Sequence, residues 1–346
     1  MNLDRFSVAT VNLYNLNLPG LPLYSDRDGW SREQYEAKIA WTARALAGLD
    51  ADIVGLEELW HAEALDAVLQ AGGLSDYDLL AEPATGGRIV CAALVRKGLL
   101  VPGTARWIED FPDSFILRTT GEDPQTPEIA VQITGFSRPV LHFEVSLRGD
   151  QPATQVYVCH FKSKAPSPVY RQDWFRADID RYRPHSTALG SAISTIRRTA
   201  EATALRLLLT EQMKGTVTPV MVLGDLNDGQ HSNTLNILTE QPRYLVGESR
   251  GGVDVGLYTA QTLQEYRDTR DVYYTHVHQD LRESLDHVLV SEQFYDNSYR
   301  RLWLFDGLTI TNDHLNETEP AEHKRLGTTD HGLVRVRFRH RPARQG

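Results

Sequence analysis

Acids, amides and imidazoles stand at the ends of apolar stretches in several parts of this 346-residue chain. The apolar stretch 220–224 is followed by Asp225 and, two positions later, by Asn227. An acid and an amide at this spacing can contact the same bound oxygen, although an Asx turn at the end of a strand has the same pattern. The other groups of this kind are Asn12, Glu57 with Glu58, His160, Asp286, and Asp330 with His331. Such side chains suit the binding of a hard cation and the transfer of a proton.

Asp286 and His331 form a candidate pair for general-base chemistry. A carboxylate that hydrogen-bonds one imidazole nitrogen fixes the tautomer and raises the basicity of the ring, so that the other nitrogen can accept a proton. The pattern alone does not show that the two side chains meet, and Asp286 by itself is equally typical of a solvated acid ahead of a strand. Glu57 and Glu58 also have two interpretations. They could hold a cation, or they could flank the helix that follows.

Basic residues concentrate after His160, where an imidazole is followed closely by two lysines, a combination suited to phosphate. Arginines and aromatic residues are interleaved as far as residue 198, and such mixtures can bind phosphates and stack on bases. Asp173, Asp178 and Asp180 dilute this charge, so a solvated loop with local ion pairs is the alternative. We predict that the segment selects the substrate. The residues expected to contact it are Lys162, Lys164, Arg197 and Arg198.

Composition limits the class of substrate. The hydrophobic fraction of 41% and the charged fraction of 24% are typical of a soluble globular protein. The net charge is -10, with 36 basic and 46 acidic residues. A protein that binds polyanions without specificity is usually basic, since its affinity comes from phosphate neutralisation. Two interpretations remain, namely a local basic patch that acts together with a metal ion, or a small phosphoester as the substrate.

The sequence gives little indication of a membrane span, a signal peptide or a disulfide. No apolar stretch approaches the roughly 18 residues of a membrane span. The first residues, Met-Asn-Leu-Asp-Arg-Phe, have no basic segment followed by an apolar one, so we expect a cytoplasmic protein, although processing would leave export open. Cys91 and Cys159 lie in apolar stretches and are expected to be buried and reduced, with one disulfide as the alternative.

The elements that must position the polar groups are mostly β-strands. Strands are predicted at 5–14, 51–56, 88–95, 130–136, 139–147, 155–161, 219–224, 286–291 and 332–339. Helices are predicted after the capping box of Ser31 and Gln34, at about 62–70, and at 187–213. An extended loop is expected at 163–185 and a second irregular region at 228–283. This order favours an α/β fold, a four-layer α/β/β/α sandwich of two packed mixed sheets with helices outside.

The whole chain, 1–346, is expected to form one domain with substrate-facing insertions at about 163–198 and 228–283. Polar groups from both ends of the chain serve one chemistry, which favours this organisation. The alternative is a pair of small α/β domains that divide near 163–185.

Taken in order, the polar clusters resemble those of the endonuclease/exonuclease/phosphatase superfamily of metal-dependent phosphodiesterases. The matching pieces span about 12 to 331, almost the full chain. They are Thr10-Val11-Asn12-Leu13, Leu56-Glu57-Glu58-Leu59, Val158-Cys159-His160-Phe161, Gly224-Asp225-Leu226-Asn227, Leu285-Asp286-His287-Val288-Leu289-Val290-Ser291 and Thr329-Asp330-His331. Each piece is short, and six in the family's order make coincidence improbable. The run 160–164 also resembles one found in bacterial nucleases of this superfamily.

The resemblance implies a metal site at one rim of the two sheets. Asn12 and Glu58 would help to bind one or two Mg²⁺ or Mn²⁺ ions, and Asp330 would contribute directly or through water. Glu57 stands where glutamine is common beside the metal-binding glutamate, and Thr329 where serine is common. An extra carboxylate at position 57 could tune the affinity for the metal if it faces the site.

The resemblance also implies a division of catalytic roles. Asp225 and Asn227 would orient the attacking water and contact the scissile phosphate. His331, positioned by Asp286, would act as the general base. His160 would hydrogen-bond the phosphate or assist the leaving group. Phosphoryl transfer depends on positioning and charge stabilisation more than on covalent chemistry, so no nucleophilic serine or cysteine is needed.

Three functions are therefore considered. The first is a DNA or RNA endo- or exonuclease that depends on a divalent metal. The second is a phosphatase or phosphodiesterase that acts on a small molecule or a lipid head group, which the net charge of -10 favours. The third is a binding module that kept the fold without the activity. Such modules usually lack some catalytic positions, whereas all the expected positions are occupied here.

Overall fold

The structure is a computed structural model and describes most of the chain. The residues described are 2–24, 28–82, 86–121, 125, 127–240, 242, 255–269, 274–279, 281–316 and 320–343. Parts of the predicted irregular region 228–283 lie outside them.

Strands are the main elements of the described residues. They are β1 (Arg5–Leu16), β2 (Ile53–Leu59), β3 (Tyr77–Leu80), β4 (Val90–Arg96), β5 (Arg106–Asp110), β6 (Gly135–Val145), β7 (Thr154–His160), β8 (Val220–Asp225), β9 (Tyr258–Thr259), β10 (His276–His278), β11 (Leu281–Glu283), β12 (Asp286–Val290), β13 (Trp303–Thr311) and β14 (Leu333–His340). One six-stranded sheet has the order β13-β14-β1-β2-β4-β3 and the other β5-β6-β7-β8-β12-β9. Each sheet is mixed, because β1 pairs with β2 and β7 with β8 in parallel, while their other pairs are antiparallel.

Helices cover the outer faces of the two sheets. They are α1 (Arg32–Leu49), α2 (Ala62–Gly72), α3 (Asp173–Ala177), α4 (Ile179–Tyr182), α5 (Ser186–Met213), α6 (Asn233–Thr239), α7 (Ala260–Glu265) and α8 (Pro320–Leu326). α1 begins at the predicted capping box, in which Ser31 and Gln34 exchange hydrogen bonds. Among the helices of the described residues, none combines the length and the apolar character needed to cross a bilayer.

Three apolar clusters fill the spaces between the layers. The inner faces of both sheets form one cluster, to which Val8, Val158 and Leu223 belong. α1 and α2 pack on the outer face of the first sheet, and α5 and α6 pack on that of the second. These layers confirm the predicted sandwich of two mixed sheets with helices outside. Cys91 and Cys159 are buried and unpaired, as expected.

Several predicted elements were wrong in extent or type. The strand predicted at 130–136 begins only at Gly135, where it runs on into the next predicted strand. The short strand β5 and the long strand β13 were missed, because their alternation is interrupted by charged residues. The expected loop 163–185 contains α3, α4 and two 3₁₀ turns. The region 228–283 contains α6, α7 and three short strands. Short elements of this kind take their stability from tertiary packing, which local periodicity does not report.

Lys38 is a buried lysine that connects α1 with the segment preceding β14. Its side chain is fully shielded from solvent, and its Nζ donates a hydrogen bond of 3.0 Å to the carbonyl oxygen of Thr328. Around the ammonium lie the rings of Tyr14, Trp30 and Trp41, with centroids 5.5, 5.6 and 5.8 Å away. Ring faces attract a cation, so this cage compensates part of the lost hydration. Lys38 therefore fixes the start of the segment that carries Asp330.

The burial of Lys38 should make the free energy of unfolding depend on pH. Burial lowers the pKa of Lys38 to about 7, against the carboxylates of Asp330 and Glu58, which favour its charged form. In an unfolded chain the same ammonium keeps its proton up to the ordinary lysine pKa of 10.5. Between these two values the unfolded state binds the extra proton, so stability rises with pH, by up to about 1.4 kcal/mol per pH unit. We expect Lys38→Met to lose this rise in urea unfolding measured at a series of pH values.

A matched control is Lys324→Met, since Lys324 lies over the same Trp30 ring but is partly exposed. This variant is expected to keep the pH dependence of the wild type. Parallel stability curves for wild type and Lys38→Met between pH 7 and 10 would contradict the prediction.

Candidate active site

Strand pairing in the second sheet sets His160, Asp225 and Asp286 side by side. Asp225 is the register partner of His160 across β7 and β8, and of Asp286 across β8 and β12. The three residues stand at strand ends on one rim of the sheet. Gly224 permits this close pairing, because its φ is 142° and a side-chain Cβ there would lie 1.9 Å from the carbonyl oxygen of Cys159. The glycine before Asp225 is thus required by the sheet itself.

Asp286 and His331 meet in the structure. Nδ1 of His331 lies 2.8 Å from Oδ2 of Asp286, and its Nε2 lies 3.9 Å from Oδ2 of Asp225. Asp286 is fully buried, and its Oδ1 has no hydrogen-bond partner among the described residues. The backbone of His331 is held by the hydroxyl of Thr329, which accepts from its N–H at 3.2 Å. The imidazole is therefore oriented with one nitrogen on a carboxylate and the other toward the site.

Charge decides the protonation of the two histidines. Burial alone would lower the pKa of His331, but the carboxylates of Asp286 and Asp225 outweigh it and raise that pKa well above its ordinary value. For His160, burial together with the charge of Arg138 lowers the pKa well below its ordinary value. The site thus pairs a basic imidazole with a neutral one. A neutral imidazole retains an N–H with which it can donate to a phosphate oxygen.

Asp225 is the acid at the centre of this group. Its Oδ1 accepts from the N–H of Asn227 at 2.9 Å, and its Oδ2 accepts from Nδ2 of Asn12 at 3.2 Å. Nδ2 of Asn227 donates to the carbonyl oxygen of Phe161 at 3.0 Å. Burial raises the pKa of Asp225 to about 7, and the nearby carboxylate of Asp286 adds to the rise. A carboxylate crowded in this way gains stability from any positive charge placed beside it.

Glu58 reaches the same rim through an unusual backbone conformation. Its φ of 62° is left-handed, and the pairing of β1 with β2 shifts register between Asn12 and Leu16. In a regular strand Glu57 and Glu58 would point to opposite faces. Instead, Oε2 of Glu58 accepts from the N–H of Asn15 at 2.9 Å, while its Oε1 lies 3.9 Å from Nε2 of His160. Strain of this type is typical of functional sites.

Glu57 and Thr329, the two departures from the family pattern, both point into the site. Glu57 is fully buried; its Oε1 accepts from the hydroxyl of Thr10 at 2.9 Å, and its Oε2 has no partner among the described residues. Burial and the charge of Asp286 raise the pKa of Glu57 well above its ordinary value. The hydroxyl of Thr329 donates to the carbonyl oxygen of Asn12 at 2.7 Å. Threonine can thus make the backbone contact that a serine hydroxyl would make.

The donor set fits a hard divalent cation. Burial and the negative charge of Asp330 raise the pKa of Glu58. A cation would relieve this repulsion, and oxygen ligands suit Mg²⁺ or Mn²⁺. Both polar atoms of the Asn12 amide already have partners, Asp225 and the N–H of Tyr14. Its predicted place among the metal ligands stays a prediction, whereas its contact with Asp225 is direct.

Two sets of side chains come close enough to share one ion, and Glu58 belongs to neither. Within the described residues they are Asp225 with Asp286 and His331, and His276 with Asp330 and His331, each with its ligand atoms within 4.8 Å. His276 was missed by the sequence interpretation. Its ring centroid lies 4.9 Å from that of His331, and burial lowers its pKa to about 4, so it is neutral at pH 7. The alternation His276-Val277-His278 was the signal that could have identified it.

The four residues predicted to contact the substrate differ in their exposure and in their partners. Arg198 is 4% exposed, lies 3.3 Å from Oδ2 of Asp228 and donates to the carbonyl oxygen of Lys162. Lys164 is exposed but lies 2.7 Å from Oε1 of Glu283. Lys162 and Arg197 are partly exposed. Arg198 and Lys164 thus have structural partners, and a substrate contact from any of the four stays a prediction.

The comparison with known protein families covers the stretch of chain that carries the site. The model of the Endonuclease/Exonuclease/phosphatase family matches residues 10–331 of the chain. The match therefore begins two positions before Asn12 and ends at His331. A search of curated proteins found no match.

Solved structures with a similar fold cover nearly the whole chain. An endonuclease/exonuclease/phosphatase family protein from Bacteroides thetaiotaomicron is 15% identical, with a TM-score of 0.54 over 96% of this chain and 94% of that one. A truncated TDP2 from Caenorhabditis elegans is 15% identical, with a TM-score of 0.53 over 97% of each chain. A mannosyl-6-phosphatase from Bacteroides thetaiotaomicron is 14% identical, with a TM-score of 0.53 over 96% of this chain and 99% of that one. At such identities the similarity concerns the fold.

Proposed function

The chain belongs to the Endonuclease/Exonuclease/phosphatase family, and from this premise we propose that it is a divalent-metal-dependent phosphodiester hydrolase, a DNA or RNA nuclease, that uses water activated by His331. The observation that carries the proposal is the contact of 2.8 Å between His331 and Asp286 beside the acids Asp225 and Glu58. Members of this family are hydrolytic phosphoesterases. The site offers candidates for the base, the phosphate-binding groups and the cation ligands that such hydrolysis requires.

His331 takes the proton in this mechanism in its unprotonated form, and the carboxylates that raise its pKa move that form to higher pH. Its Nδ1 faces Asp286, so Nε2 is the nitrogen that can accept the proton of water. The carboxylate of Asp286 holds the ring and stabilises the imidazolium that forms. Asp225 lies 3.9 Å from Nε2 and can accept the second hydrogen of the same water. These two groups would thus orient the attacking oxygen toward the phosphorus.

Neutral donors act on the phosphate. His160 has its Nε2 3.6 Å from Oδ2 of Asp225, on the side of the site toward Glu58. With its lowered pKa it is neutral and donates one N–H. Asn227 supplies an amide from the adjacent strand end, held by the carbonyl oxygen of Phe161. Donors fixed in advance stabilise the charge that develops on the phosphoryl oxygens.

Glu58 and Asp330 are the residues that would hold the cation, with Asn12 beside them. A bound divalent ion supplies positive charge against the phosphoryl oxygens and lowers the pKa of water. The oxygen donors match Mg²⁺ and Mn²⁺, and the imidazole of His276 lies near Asp330.

A small phosphoester is the second candidate substrate. The net charge of -10 favours it over a long polyanion. The mannosyl-6-phosphatase with the same fold is, by its name, a phosphatase. The choice between the candidates rests with the residues around the site.

An activity panel tests the proposal. Plasmid, linear duplex, single-stranded DNA, RNA, bis-p-nitrophenyl phosphate and p-nitrophenyl phosphate would each be incubated with Mg²⁺, Mn²⁺ and Ca²⁺. We expect metal-dependent cleavage of a nucleic acid and of the chromogenic diester, which His331→Ala abolishes. Cleavage of the chromogenic esters alone would support the small-molecule candidate. No hydrolysis of any ester with any ion would refute the proposed function.

A further inference from the structure

A cleft of about 510 Å³ adjoins the Glu58 and His160 side of the site. Its lining includes Tyr24, Trp60, Arg88, Arg138, Lys162 and Arg171. Trp60 comes two positions after Glu58, and Lys162 comes two positions after His160. Two of the lining residues thus directly follow, in sequence, the rim on which Glu58 and His160 stand.

Arg138 ties this cleft to the phosphate-contacting group. Its Nη1 donates to the carbonyl oxygen of Phe161 at 3.1 Å, and Nδ2 of Asn227 donates to the same oxygen at 3.0 Å. The guanidinium and the Asn227 amide thus converge on one atom. This convergence places Arg138 beside the amide that is proposed to contact the scissile phosphate.

The cleft has a surplus of positive charge. Four of its lining residues are cationic and none is acidic. Arg88 is neutralised by Glu82 and Glu109, at 3.3 and 2.6 Å. By contrast, Arg138 and Lys162 form no ion pair with any described residue.

Neutral acceptors hold the Lys162 ammonium. Its Nζ donates to the hydroxyl of Ser163 at 3.1 Å and to the carbonyl oxygen of Ala165 at 3.4 Å. Burial and the charge of Arg138 lower the pKa of Lys162 to about 8. Two cations held close together, with only neutral acceptors at the Lys162 ammonium, gain stability from a bound anion.

One buried acid holds both cations in place. Glu201 on α5 is 1% exposed, and its two oxygens accept from the backbone N–H groups of Ser137 at 2.8 Å and Lys162 at 2.7 Å. Ser137 immediately precedes Arg138, so a single carboxylate fixes the segments that carry the two cations. Preorganised groups bind more tightly, because less ordering remains to be done when the ligand arrives.

We propose that this cleft binds a second phosphate group of the substrate, one that is not cleaved, through Arg138 and Lys162. The inference rests on the proposed function and names what the substrate carries beside the scissile bond. Guanidinium and ammonium groups form short, charge-assisted hydrogen bonds with phosphate. The second phosphate belongs either to the next nucleotide of a nucleic acid or to a small bisphosphate.

Paired substrates test the subsite. Thymidine 5′-(p-nitrophenyl phosphate) and thymidine 3′-(p-nitrophenyl phosphate) would each be compared with the form that carries a phosphate on the other hydroxyl. In the wild type we expect kcat/KM to be about 10- to 100-fold higher for one of the doubly phosphorylated esters, as one or two charge-assisted hydrogen bonds allow. Lys162→Met and Arg138→Met should each reduce this ratio about tenfold, with Arg138→Lys in between.

Arg181→Met is the control, because Arg181 is an exposed arginine of the same insertion outside the cleft, and it should keep the wild-type ratio. Each ratio compares two substrates on one variant, so a general loss of activity cancels. Ratios near one in the wild type, or ratios unchanged in both cleft variants, would overturn the proposal and leave the proposed function standing.

Binding gives an answer independent of turnover. Titration calorimetry would compare thymidine 3′,5′-bisphosphate with both thymidine monophosphates, and fructose 1,6-bisphosphate with fructose 6-phosphate. A preference for a bisphosphate that is lost in Lys162→Met supports the subsite even if the panel of esters is not hydrolysed. A preference confined to the nucleotides indicates a nucleic acid as its source, and one shared by the sugars indicates a small bisphosphate. Equal affinities within both sets would overturn the subsite.

Discussion

Replacing His331 with alanine is expected to lower kcat/KM on a phosphodiester by about 10²- to 10⁴-fold, the range measured for a positioned general base. The truncation removes the proposed proton acceptor, because Nε2 of His331 faces Asp225 while Nδ1 is engaged by Asp286. The side chain is 7% exposed and makes its main polar contact with Asp286, so the fold should survive the truncation. Steady-state kinetics together with circular dichroism check both statements.

Asp286→Asn separates orientation from proton transfer. The amide keeps the shape of the side chain but removes the charge that raises the pKa of His331. In the metal-free protein we expect this pKa, followed by NMR, to fall. Turnover should fall by no more than it does in His331→Ala, since both changes act on one unit. Near-normal turnover in His331→Ala would refute the base assignment, and an unchanged His331 pKa in Asp286→Asn would refute the pairing.

Replacing Glu58 with glutamine is expected to have the other large effect, on the order of a 10³-fold loss of kcat/KM, because a cation contributes several kcal/mol to transition-state charge stabilisation. Glutamine keeps the hydrogen bond from the N–H of Asn15 but loses the charge beside Asp330. Part of the loss should return at higher metal concentration, since the defect is one of metal affinity. Titration calorimetry with Mn²⁺ and activity measured against metal concentration provide the test.

Glu63→Gln is a suitable control, because it removes an exposed acid of α2 only five positions away. It should bind Mn²⁺ as the wild type does. If Glu58→Gln binds Mn²⁺ with unchanged affinity, Glu58 is not a ligand and the metal site must be sought elsewhere, with His276 and Asp330 as the next residues to replace.

Much of the site could be predicted from sequence, because regular strands bring it together. Asp225 ends one apolar stretch, and Asp286 begins another. The two stretches form antiparallel strands, and their pairing makes the two acids register partners. The same holds for His160 on the neighbouring parallel strand. Here the sequence periodicity and the sheet geometry agree, and the fold class followed from the same strands.

The rest depends on departures from regularity. Glu58 turns into the site through a left-handed backbone at φ 62°, which no propensity of glutamate indicates. His276 lies in a three-residue strand whose position is set by its bridge to His331. Arg138 lies within a strand whose sequence pattern does not single it out. Only its hydrogen bond to the carbonyl oxygen of Phe161 shows where its side chain is directed. Arg198 was predicted to contact the substrate because basic and aromatic residues are interleaved over 162–198; its burial beside Asp228 depends on tertiary packing, which that pattern does not report.

The hydrogen bond from Thr329 to Asn12 spans 317 positions of the chain. Asn12 lies on β1, which pairs with β14 as an antiparallel neighbour over Arg5–Thr10. In a growing chain β1 is synthesised before β14. Under the proposed function, the nascent chain would lack the proposed base and Asp330 until residues 330 and 331 have been translated. Hydrolysis would therefore start only once the segment before β14 has reached β1.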